Sequence, residues 1–150
     1  MGFPSKVRHL IDAAANVTLR DITDGAETGA SVYETAIDLE VLDSAYWHNG
    51  EIPQQSFSAV VEVTALDTAD GDGTYTINIQ TDSELAFGDS PVIVASLVVP
   101  AVGIYVINLD GPTIEALDAD ATHLRIGVVT DETTPSITYG AWLAPTVQQG

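Results

Sequence analysis

Residues 74–81 read TYTINIQT, and the period of that octapeptide decides the fold. Tyr75, Ile77 and Ile79 fall on one side, while Thr74, Thr76, Asn78 and Gln80 fall on the other. Alternation at a period of two is the mark of a half-buried strand. The same period recurs in both directions. FSAVVEVTAL (57–66) begins as alternation and is rich in β-branched residues; HLRIGVV (123–129) sets Leu124, Ile126 and Val128 against Arg125 and Gly127. SITYGAWL (136–143) sets Ile137, Tyr139 and Ala141 against Thr138, Gly140 and Trp142. In IYVINL (104–109), Ile104 and Val106 oppose Tyr105, Ile107 and Leu109, a pattern that predicts cover on both faces.

With VTLRDI (17–22), VYETAIDLEVL (32–42) and PVIVASLVV (91–99), the chain offers eight strands. They are bounded by turns rich in Gly, Asp, Pro and Thr. Helical pattern is sparse. GPTIEALDAD (111–120) predicts one turn with Thr113 as N-cap, and HLIDAAANV (9–17) a second short helix or an arm that orders on docking. Eight antiparallel strands without a helical layer predict an all-β fold, an antiparallel β-sandwich of the jelly-roll type. The expected division is an N-terminal arm over 1–15 and one sandwich domain over 16–150.

Charge narrows the function. The 150 residues hold 22 Asp and Glu against four Lys and Arg, a net −18. Residues 1–20 carry Lys6, Arg8 and Arg20 against Asp12, whereas the remainder carries Arg125 alone against the other acids. So acidic a body repels nucleic-acid backbones and anionic membrane surfaces, and neither is expected as a partner. Cysteine is absent, which excludes disulfides and thiolate chemistry. The basic start lacks a continuous apolar core, so a cleaved signal peptide is not expected.

Candidate chemistry is thin. DTADGDG (67–73) places Asp67, Asp70 and Asp72 on a Gly-rich loop, and closely spaced Asp can supply oxygens to calcium. Counted from Asp67, however, the EF-hand positions 3, 5 and 12 are Ala69, Gly71 and Asn78. The competing reading is a hairpin turn in which Asp-Gly supplies a positive φ. His9, His48 and His123 show no zinc spacing. Tyr46, Trp47 and His48 form a loop suited to a sugar ring, a subunit interface or a plug at one end of the sandwich. There is no G-x-S-x-G elbow and no phosphate loop, so no enzymatic activity, cofactor or metal centre is expected. Phe3, Lys6, Arg8 and Leu10 combine apolar anchors with cations and mark the arm as a candidate docking segment for an acidic partner.

The segments GTYTINIQTDSELAFGDSPVIVASLVVPAVGIYVINLDG (73–111) and ATHLRIGVVTDETTPSITYGAWL (121–143) resemble the jelly-roll cement, or decoration, proteins of tailed-bacteriophage capsids with HK97-type shells. The likeness covers residues 57–145 well and 16–56 loosely, and it rests on strand motifs. It implies a non-enzymatic homo-oligomer, dimer or trimer, on the outer surface of the virion. There it would staple neighbouring subunits of the major capsid protein. A carbohydrate-binding or host-adhesion module, or a tail or fibre subunit, is the alternative.

Overall fold

The computed structural model describes residues 18–39, 56–69, 71, 73–88 and 90–145. Their elements run β1 (Thr18–Arg20), β2 (Ser31–Tyr33), β3 (Ile37–Asp38), β4 (Phe57–Leu66), β5 (Tyr75–Asp82), β6 (Val92–Val99) and β7 (Gly103–Leu109). Helix α1 (Gly111–Leu117) and strands β8 (His123–Thr130) and β9 (Ile137–Pro145) complete them. One sheet has the order β1-β9-β4-β7; the other has β2-β8-β5-β6, with β3 also pairing β8. Every pairing is antiparallel. Successive strands switch sheets at most connections, the arrangement of a jelly roll.

The alternation seen in the sequence builds the core. Tyr75, Ile77 and Ile79 of β5 meet Leu124, Ile126 and Val128 of β8 and Ile137, Tyr139 and Ala141 of β9 in one buried cluster. Phe57, Ala59, Val61 and Val63 bring β4 into it. At roughly 1.5–3 kcal/mol per fully buried large apolar side chain, this cluster is the main source of stability.

Four expectations are corrected. The stretch 32–42 is broken: Tyr33 pairs with Gly127 and Ile37 with Leu124, so four steps along this edge oppose three along β8. The extra residue is a bulge, which turns Glu34 toward β1. β4 and β5 lie in different sheets, so residues 67–74 connect the two layers and are not a hairpin. Only β5 and β6, among consecutive strands, pair with each other. The helix is capped by Asp110, whose side chain accepts from the Thr113 amide at 2.8 Å, not by Thr113. Proline in the first turn pre-sets the helical φ and lacks the amide that would go unpaired there. Finally, β7 is not covered on both faces: Ile104 is 68% and Val106 58% exposed, because nothing among the described residues packs on that side.

Candidate interaction surface

The outer face of the four-stranded sheet carries those exposed residues. Strand register lines up Val106, Val60, Trp142 and Thr18 in one row across all four strands. The next row runs Ile104, Glu62 and Gly140. Ile22 closes over Gly140, where a Cβ would come within 2.8 Å of it. A hollow of about 230 Å3 results, with Thr18, Asp21, Ile22, Glu62, Gly140 and Trp142 around it. The surface is therefore an apolar track ending in an indole, with two carboxylates beside it. Trp142 and Ile22 are only partly exposed, at 37% and 38%.

The edge beside this hollow is held by Arg20. Its side chain has no exposed surface, and all five N–H donors are used. Nε donates to Glu34 at 2.8 Å, and Nη1 donates to the carbonyls of Tyr139 at 2.7 Å and Asp21 at 3.3 Å. Nη2 donates to Glu27 at 2.7 Å and to the Gly25 carbonyl at 3.0 Å. The guanidinium also lies 4.7 Å from the centre of the Tyr139 ring. Arg20 thus ties the β1 edge of one sheet to the β2 edge of the other. Burial raises the Glu34 carboxyl above its ordinary value; Arg20 opposes that, and neighbouring Glu27 adds to it. The buried Tyr139 hydroxyl finds no hydrogen-bond partner among the described residues, and burial, reinforced by Glu34, pushes its pKa upward.

A second cation is closed in on the outer face of the five-stranded sheet. Arg125 sits between the rings of Tyr33 and Phe87, at 4.3 and 4.1 Å from their centres. It donates twice to Gln80 Oε1, at 2.9 and 2.8 Å. Gln80 Nε2 and Asn78 Nδ2 donate to the Tyr33 hydroxyl at 3.1 and 3.4 Å, and Ser96 donates to Asn78 Oδ1 at 2.7 Å. Burial lowers the Arg125 pKa. Phe87, at φ +53°, holds a left-handed backbone that places its ring on the guanidinium. Both cations of the described residues are thereby engaged internally, which leaves Lys6 and Arg8 as the other two in the chain.

Phe3, Lys6, Arg8 and Leu10, and equally Tyr46, Trp47 and His48, lie outside the described residues, as do Asp70 and Asp72. Asp67 is described and is a turn-former: its carboxylate accepts from the Ala69 amide at 2.9 Å, and its carbonyl from the Tyr75 hydroxyl at 2.6 Å. Gly71 donates to the Thr68 carbonyl at 3.1 Å, with φ +64°. Among the described residues no group of three or more His, Cys, Asp or Glu is placed to hold a metal ion. No described helix is long and apolar enough to cross a membrane. The apolar track escaped the sequence reading, which assigned its β7 members to a covered face. Its signal was nonetheless present: residues 90–109 contain no Asp, Glu, Lys, Arg or His in a chain with 22 acids.

No family model matches the sequence, and no curated protein matches it. Among solved structures, a chain of the Cowpea mosaic virus top component, described as naturally occurring empty particles, is similar at 15% identity with a TM-score of 0.40. The match covers 61% of this chain and 54% of that one, so the protein spans about half the length of the solved chain.

Proposed function

We propose that the protein is a virion structural protein, a capsid cement protein that binds the outer surface of a shell and bridges neighbouring major capsid subunits. The observation that carries this reading is the apolar track Val106–Val60–Trp142 across a sheet face that no described residue covers, in an otherwise strongly acidic molecule. Monomeric proteins seldom leave apolar surface contiguous across a sheet unless something docks there, and an indole at the end of such a track is a typical anchor. The strand motifs that resemble phage decoration proteins support the same reading. The −18 charge favours an outward, solvent-facing position over one against packaged nucleic acid. Attachment at several points on a shell would turn modest contacts into tight overall binding.

Co-sedimentation with expanded, undecorated capsids tests the proposal. Saturable binding at a fixed stoichiometry is expected, and Trp142→Glu should weaken it by at least about tenfold, as loss of an interface anchor does. Folded protein that fails to bind any such shell would overturn it. The adhesion alternative predicts a glycan-array signal instead.

A further inference from the structure

The two edges of the sandwich are treated in opposite ways. At one edge β1, β2 and β3 have only three, three and two residues, the ladders are bulged, and Asp21, Glu27 and Glu34 surround the Arg20 staple. Short strands, bulges and charges are how proteins keep an edge from pairing with another chain. The opposite edge has none of these on β7. β7 pairs with β4 at seven successive positions without a shift, and among the described residues its other side has no strand. Neighbouring β6 is itself an edge, but its ladder slips between Ile79 and Gln80, which disqualifies it as a flat template. Around β7 the exposed large apolar residues are Val98, Val102, Ile104 and Val106, inside the charge-free segment 90–109. The turn that leads into β7 is fixed, because the Tyr105 hydroxyl donates to the Ala101 carbonyl at 2.6 Å.

We infer that β7 is a self-pairing edge: two copies join through antiparallel pairing of their β7 strands about a twofold axis at Tyr105, fusing their four-stranded sheets into one. Charge selects a second copy as the occupant. Two molecules at −18 each repel wherever acids face acids, so they meet at least cost where neither carries charge. A basic partner would be drawn to the acidic surface instead. Antiparallel pairing is also self-complementary, as a closed twofold contact requires. That register sets Ile104 of each copy opposite Val106 of the other, at cross-strand contact distance. The inference does not depend on what the sheet face binds.

Sedimentation equilibrium of the full chain across a concentration series tests it. A mass of twice 15.8 kDa is expected, with association strengthened by added salt as charge repulsion is screened. Val106→Lys and Ile104→Lys, both at exposed positions, should weaken association by at least about tenfold, because each sets like charges near the axis. Ser31→Lys, on the opposite edge, should leave it unchanged. Hydrogen exchange on the unaltered chain gives a second readout: amide protection within 103–109 should rise with protein concentration. A monomer at every concentration, a trimer, association weakened by salt, or a dimer indifferent to both lysines would each overturn the inference. So would a monomer whose shell binding alone is lost with Val106→Lys, since the edge would then serve a capsid segment.

Discussion

Replacing Arg20 by Met tests whether the edge staple holds the sandwich together. Methionine keeps the length and apolar stem of arginine but removes five donors, two of which form the ion pairs with Glu27 and Glu34. The carbonyls of Tyr139 and Gly25 lose their side-chain donor, and two carboxylates are left facing each other. Breaking a buried ion pair by removing one partner costs about 3–5 kcal/mol. Both carboxylates keep some contact with water, their side chains being 21% and 19% exposed. The lower end, about 3 kcal/mol, is therefore expected. In a chain of 150 residues that corresponds to a melting temperature lower by roughly 6–12 °C.

Urea or thermal unfolding followed by circular dichroism measures it. Arg20→Lys should restore less than half of the loss, since an ammonium offers three donors in place of a five-donor fork. The cycle of Arg20→Met with Glu34→Gln should show coupling of at least about 0.5 kcal/mol. A cost for Arg20→Met below about 1 kcal/mol, the range of an exposed pair, would refute the reasoning. The β1 edge would then be held by its backbone ladder and by Leu19.

Two further outcomes follow from the same geometry. Glu34 has a raised pKa in the folded protein, so the native state holds its proton over a pH interval in which the unfolded chain has lost it; stability falls as pH climbs through that interval. Glu34→Gln removes this slope, and the difference between variant and parent melting temperatures should grow more favourable to the variant between acid and neutral pH. An unchanged difference across that range would count against the placement of Glu34. In Gly127→Ala, the added Cβ would overlap the Tyr33 ring, which also stacks on Arg125 and accepts from Gln80. The expected cost is about 1–3 kcal/mol, as for overpacking generally. It should be less than additive with Tyr33→Ala in denaturant unfolding, and strict additivity would show that the ring is not the obstacle.

Period-two alternation was enough to read the sandwich, because side-chain facing in a strand is fixed by the pleat and each of 57–66, 74–81 and 123–129 has one apolar face. What the alternation could not convey is which strand lies at an edge. Ile104 and Val106 look like core by composition, yet the pleat sets them on the outer face of the sheet, which no described residue covers. Pairing order is a long-range property, and turn residues encode it only where consecutive strands share a sheet, as β5 and β6 do. DTADGDG carried hairpin residues and nevertheless joins two layers, since Asp and Gly satisfy a tight bend in either setting. Arg20 was likewise illegible. Counted in sequence it belongs to a basic N-terminal segment; in the fold its charge is consumed by Glu27 and Glu34, so the basic character of that segment rests on Lys6 and Arg8 alone.

The two cations and the charge-free segment make one physical scheme. With 22 acids and four basic residues, the molecule cannot neutralise its own surface. Arg20 is committed where two sheet edges crowd acids together, and Arg125 where a polar network on the outer sheet face needs a planar donor between two rings. Repulsion over the rest of the surface disfavours contact between copies except at residues 90–109, where charge is absent. On the proposed reading, acidity in this chain would steer association to β7, whose apolar residues supply an attraction that no charge within 90–109 opposes.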